Sequence, residues 1–169
     1  MKKIFIFLTL SMFASNAFGQ KSYIELYTEM SIPYNSYEKE FTLANVFITA
    51  DLGVEVHTNG YMGISIGYAP EMEQVSAFKC GVNYQYRLTQ TTVSPFIRVG
   101  GFWKGYRTHI FKETYYGANI MGNLGVDIRM APESSLFVGV GFGGDFFNGN
   151  NSFIIQPMAG LRFYFKAYK

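Results

Sequence analysis

From Phe153 to Phe165 the side chains alternate, residue by residue, between two environments. Phe153, Ile155, Pro157, Ala159, Leu161, Phe163 and Phe165 form one set; Ile154, Gln156, Met158, Gly160, Arg162 and Tyr164 form the other. A strand points successive side chains to opposite faces, so this segment reads as a strand between an apolar surface and a polar, glycine-containing one. Seven earlier segments repeat the alternation. The pattern predicts eight strands, over 22–30, 45–57, 61–69, 75–88, 93–103, 116–130, 135–146 and 153–166.

The connections alternate too. Those after the second, fourth and sixth strands are short, at 58–60, 89–92 and 131–134. Those after the first, third, fifth and seventh are generally longer, at 31–44, 70–74, 104–115 and 147–152. Asn59-Gly60 is a two-residue hairpin signal. An even number of strands with turns at one end and loops at the other returns both termini to the turn end.

One predicted face carries no formal charge. It includes Ile24, Leu26, Ile48, Leu52, Ile64, Ile66, Val82, Ile97, Val99, Ile120, Leu124, Val138 and Phe142. The other holds glycines at 53, 63, 67, 81, 100, 125, 139, 141 and 143 among charges. Its acids are Glu25, Glu29, Asp51, Glu55, Asp127 and Asp145; its bases are Lys79, Arg87, Arg98, Arg129 and Arg162. Two closed sheets fit this alternation. A water-soluble barrel would turn the apolar face inward. A transmembrane barrel would turn it to lipid. Glycine on a solvent face would weaken a strand without return, whereas in a narrow lumen it makes room for long neighbours such as arginine. Tyr68, Tyr84, Tyr86, Trp103, Phe146, Phe163 and Phe165 also gather towards strand ends, where amphipathic rings meet a membrane interface. The reading is therefore all-β: an eight-stranded antiparallel up-and-down transmembrane β-barrel. Pro157 sits inside the last strand, where a closed barrel has no free edge, and a bulge is expected there.

The N-terminus changes the picture of location. Lys2 and Lys3 precede an apolar stretch from Ile4 to Phe13, and Ala17-Phe18-Gly19 follows as a cleavage site. That is a secretion signal over 1–19, too short for a spanning anchor, with the barrel domain over 20–169. Without Lys2 and Lys3 the fourteen basic residues fall to twelve, matching the twelve acids. Such neutrality gives no reason to expect a nucleic-acid partner. Cys80 is the single cysteine, so no internal disulfide forms; it lies on the apolar face as a small packing residue.

The whole mature chain resembles the small eight-stranded outer-membrane barrels of Gram-negative bacteria, the OmpX and OmpA-barrel type. The most specific local element is the C-terminal strand, where Gly160, Phe163 and Phe165 match that family's assembly signal. Met158 stands where the family has a polar residue, and Lys166-Ala-Tyr-Lys169 runs beyond the last aromatic. The resemblance implies an outer-membrane protein with both termini periplasmic. It implies folding with periplasmic chaperones and the outer-membrane insertion machinery, and surroundings of lipid and lipopolysaccharide. The expected form is a monomer without a cofactor.

Three functions compete. Glu25, Asp51, Glu55, Lys79, Arg87, Arg98, Asp127, Arg129 and Arg162 would form a lumen charge network. Near-balanced charge inside a narrow barrel must pair or be hydrated, which favours a cross-braced interior over a pore; rings of one sign would have favoured conduction. The leading expectation is thus a non-catalytic barrel with a filled lumen, serving envelope integrity or surface interaction. Tyr106, Arg107, His109 and Lys112 in the third outer loop are its candidate surface contacts, since binding residues concentrate on loops held by a rigid scaffold. A small porin-like channel is the alternative. A lipid A-modifying enzyme is the third, and it would need histidine beside serine and a carboxylate at the outer rim. His109 is followed by Ile110-Phe111 rather than by His-x-Ser, and Ser36 or Ser152 would have to approach it through loop geometry. His57 sits at the opposite rim and reads as a capping polar residue. No metal-ligand cluster, phosphate loop or nucleotide motif is present.

Overall fold

Strands of thirteen to eighteen residues pair antiparallel in chain order and close on themselves in the computed structural model. The structure describes residues 21–35, 40–41, 45–72, 75–108, 113–147 and 150–165. Residues 1–19, which the sequence predicts to be a secretion signal, Ser36, His109, Lys112 and residues 166–169 lie outside the described residues. The strands are β1 (Ser22–Asn35), β2 (Glu40–Phe41), β3 (Asn45–His57), β4 (Gly60–Met72), β5 (Val75–Arg87), β6 (Val93–Thr108), β7 (Thr114–Ala131), β8 (Ser134–Phe147) and β9 (Asn150–Phe165). β2 is a two-residue return on the far end of β1. The other eight form the barrel, and β1 closes it by pairing with β9.

Closure fixes the stagger. Cross-strand partners lead from Ile24 through Leu52, Ile64, Val82, Gly101, Ile120, Gly144 and Phe153 back to β1 at Tyr34, ten residues past the start. A stagger of that kind goes with strands tilted by about 35–45° to the barrel axis.

The faces separate as the alternation requires. Leu26, Ile48, Ile64, Ile66, Val82, Val99, Ile120 and Leu124 are all exposed around the outside. Glu25, Asp51, Lys79, Arg98, Asp127 and Arg162 are buried inside. Soluble monomers rarely expose contiguous apolar surface beyond a few hundred Å². Here the apolar surface runs around the barrel, with aromatic rings towards its ends. Trp103 stacks on Tyr116 at 4.8 Å with the planes 4° apart, and Phe78 meets both edge-on. At the turn end Tyr86, Phe163 and Phe165 face outward.

Several local expectations are corrected. Pro157 makes no bulge. Its register is unbroken against Val140 on β8, and the β1 ladder runs through Glu29–Met158 and resumes in the same register at Ile32–Ile155. A short gap in the ladder accommodates the missing N–H without an extra residue. The first hairpin turns on Thr58-Asn59, one residue earlier than the Asn-Gly signal. His57 pairs with Gly60, and Asn59 takes the left-handed conformation at φ 68° that asparagine tolerates. A register shift between Glu55 and His57 absorbs Val56 as the extra residue. The loop-end connections are also shorter than predicted, because β1, β4, β6, β7 and β9 run past the apolar band. Backbone groups there satisfy each other by pairing, and polar side chains do not prevent it.

Candidate functional site

The lumen is built by the inward residues of every strand. Its centre is Glu25 on β1. Arg98 on β6 donates to both Glu25 carboxylate oxygens at 2.9 and 2.7 Å. Arg162 on β9 donates to Glu25 as well. Arg162 Nη1 then reaches Asp127 on β7 at 2.7 Å, and Arg87 on β5 reaches the other Asp127 oxygen at 2.6 Å. The result is a chain of alternating sign, Arg98–Glu25–Arg162–Asp127–Arg87, crossing the lumen between five strands. Gln85 threads it: its carbonyl oxygen accepts from Arg98 Nε at 3.0 Å and from Arg162 Nη2 at 2.7 Å. Charge-assisted bonds of this kind are the strong class. Burial makes the arrangement depend on both partners, since one buried charge left alone costs several kcal/mol.

A second group lies nearer the loop end. Lys79 on β5 pairs with Glu29 on β1. Lys104 on β6 donates to both Asp145 oxygens at 3.0 and 3.2 Å, and Asn119 donates to Asp145 at 2.6 Å. Asp51 is held by Asn83 at 2.6 Å rather than by a base.

Not every expected member joins. Arg129 has the inward parity but lies exposed at the turn-end rim, where β7 leaves the barrel. Glu55 is half-buried at the same rim, beside Tyr61 in register, and outside the ion-paired chain. Lys104 falls in the predicted 104–115 loop, yet it is fully buried because β6 extends to Thr108. Tyr106 is half-buried: its hydroxyl donates to Asp145 at 3.2 Å and its ring packs edge-on to Phe147 at 5.0 Å. Arg107, its strand neighbour, is exposed. In the C-terminal strand Phe163 and Phe165 face outward, while Gly160 lies inside against Tyr27.

The interior also holds rings that the charge pattern concealed. Tyr27, Phe96, Phe137 and Met158 form one buried cluster, and Phe47 packs with Ala69 and Ala77 in another. Cations sit over these rings: Arg98 lies 5.3 Å from the Phe137 centroid and Lys79 lies 5.6 Å from that of Phe47. Glycine makes room mainly for rings rather than for arginine. A side chain at Gly125 or Gly139 would meet Phe96, one at Gly53 or Gly63 would meet Tyr23, and one at Gly81 or Gly100 would meet Phe102. The signal was an aromatic residue directly opposite a glycine, as Phe96 is opposite Gly125.

His57 stays at the turn-end rim, but not on the inward face that strict alternation from Asp51 and Glu55 would give it. The Val56 bulge turns it off the Asp51–Glu55 face and onto the outside, where its Nε2 lies 2.7 Å from the Tyr84 hydroxyl and Nδ1 lies 3.0 Å from the Thr58 carbonyl. Among the described residues it has no serine or carboxylate partner.

Neisserial surface protein A has the same architecture, with a TM-score of 0.72 at 13% identity over 85% of this chain and 97% of that one. The chain has the fold of the small eight-stranded outer-membrane β-barrels. The N-terminal β-barrel domain of OprF from Pseudomonas aeruginosa superposes with a TM-score of 0.57 at 10% identity, over 85% of this chain and 97% of that domain. Ail, the attachment invasion locus protein of Yersinia pestis, gives 0.57 at 11% identity, over 86% of this chain and 99% of its own; that structure is a complex with the heparin analogue sucrose octasulfate. No family model and no curated protein matches the sequence. At these identities the likeness is one of architecture, and the lumen chemistry has to be argued from this chain's own residues.

Proposed function

We propose that this chain is a non-catalytic integral protein of the bacterial outer membrane, with a filled lumen that does not conduct, serving envelope integrity or surface interaction through its outer loops. The observation that carries the reading is the Arg98–Glu25–Arg162–Asp127–Arg87 chain, buried beneath an uncharged outer face. A water path would have to part these pairs and pass the rings between Tyr27 and Phe137. The turn end, with both termini, faces the periplasm, and the loop end faces outward among lipopolysaccharide. Gly160, Phe163 and Phe165 serve the outer-membrane insertion machinery during assembly, after removal of residues 1–19. Surface contact falls to exposed Arg107 together with His109 and Lys112. The sulfated ligand held by Ail, a protein of the same architecture, supports testing polyanions at this basic loop.

Planar-bilayer recording tests the closed lumen. The purified protein is expected to give no steady single-channel steps, and reproducible steps of fixed size would establish the channel reading instead. Lipid A mass spectra from cells with and without the gene are expected to be identical.

A further inference from the structure

The turn end of the lumen opens into a cavity of about 200 Å³, lined by Lys21, Tyr61, Arg87, Arg129, Glu133 and Tyr164. Its chemistry differs from the rest of the interior. Deeper in, each buried base among the described residues is paired with an acid. Here three cations line the space with one acid. Among the described residues neither Lys21 nor Arg129 has an ion-pair partner, and both are exposed.

Arg87 is the floor. It is buried, and Asp127 holds one end of its guanidinium at 2.6 Å. The guanidinium lies 5.8 Å from the Tyr61 ring centroid and 5.6 Å from that of Tyr164. Its Nε is buried without an acceptor. Buried donors in folded proteins are nearly always bonded, and among the residues lining the cavity Arg87 alone carries such an orphan. The walls are held firmly. Tyr164 N–H donates to the Glu133 carbonyl at 2.8 Å, Arg129 N–H to that of Thr92 at 2.7 Å, and Glu55 N–H to that of Lys21 at 2.8 Å. Arg162 donates to the Tyr164 hydroxyl at 3.1 Å, which sets the ring.

We propose that this mouth binds a small soluble molecule through a carboxylate or phosphate oxyanion. Arg87 and Arg129 bond the oxyanion, Lys21 adds charge at the entrance, and the half-buried ring of Tyr164 borders the ligand's body. Guanidinium groups suit such oxyanions because their planar forks match carboxylate and phosphate geometry. The cavity falls below the roughly 300–1,000 Å³ of drug-sized sites, which selects a ligand about as large as an amino acid. Entry from the periplasm rests on the membrane orientation proposed above; the site itself does not.

The test uses the protein purified from membranes in an uncharged detergent. Inorganic phosphate and acetate are titrated separately, with sodium chloride at matched ionic strength as reference, and the amide resonances of Tyr61, Arg87 and Tyr164 are followed. Saturable shifts with either oxyanion, weakened about tenfold or more in Lys21→Gln/Arg129→Gln, are expected; tenfold corresponds to about 1.4 kcal/mol. Both replaced side chains are exposed at the rim, so the barrel should persist, and heat-dependent gel migration verifies it. Shifts no larger than those with chloride would overturn the proposal. So would saturation that the double variant leaves unchanged, because the ion would then sit elsewhere. Neither failure bears on conductance, which tests the filled lumen independently.

Discussion

Glu25 and Arg162 stand directly opposite each other across the seam where β1 meets β9, and their side chains pair inside the barrel. The two residues are 137 positions apart in sequence. A contact this distant forms only when the sheet closes, so the ion pair is tied to closure itself. Glu25 is also the carboxylate on which both Arg98 and Arg162 converge.

This asymmetry sets the first prediction. Glu25→Gln deprives two buried guanidinium groups of their shared carboxylate and should cost about 3–5 kcal/mol, the range for breaking a buried pair. Arg162→Gln should cost less, because Glu25 keeps Arg98 and Asp127 keeps Arg87. Urea unfolding of the lipid-reconstituted protein gives both numbers. Equal costs would show that Glu25 is not the hub.

The outer face supplies a second. Leu124 lies midway along β7 and is 53% exposed. In a bilayer, Leu124→Arg places a charge near the midplane and should destabilise the barrel by about 2–4 kcal/mol. On a water-facing surface the same change would fall within about 0.5 kcal/mol. Urea titration of the vesicle-inserted protein separates the two values.

Packing inside supplies a third. Gly125 faces Phe96 across the β6–β7 ladder, and a side chain there would press on the ring and on the Val138 carbonyl. Gly125→Val should cost about 1–3 kcal/mol by overpacking. Trimming the ring with Phe96→Leu in the same chain should return part of that loss, and a double-variant cycle measures the coupling. A purely additive cycle would mean that the glycine serves the backbone alone.

How legible these features were in the sequence depends on what alternation can report. It assigns each residue to a face, which is why Leu124 and Arg98 were placed from the chain alone. It does not say what fills the inside. Phe47, Phe96 and Phe137 share parity with glycine and charge, and their role emerges only when register sets Phe96 against Gly125. Alternation also fails where a bulge inserts a residue: Val56 reverses parity, and His57 moves from the Asp51 face to Tyr84. Strand ends were the other blind spot. Lys104 and Tyr106 look like loop because they are polar or amphipathic, but β6 continues past the lipid band and carries them into the lumen, where Asp145 takes both.

The chain's one tryptophan and one cysteine turn the orientation into a spectroscopic question. Trp103 and Cys80 are cross-strand partners on β6 and β5, and both side chains are exposed on the outer face. If that face meets lipid, Trp103 emission should be blue-shifted and strongly quenched by lipids brominated on their acyl chains. In the same vesicles Cys80 should resist a charged, membrane-impermeant maleimide, because the charged reagent does not enter the hydrocarbon. It should react once the protein is unfolded in denaturant. Rapid labelling of the folded, inserted protein, with Trp103 unaffected by brominated lipid, would put this face in water. The glycine and charge inside would then need another explanation.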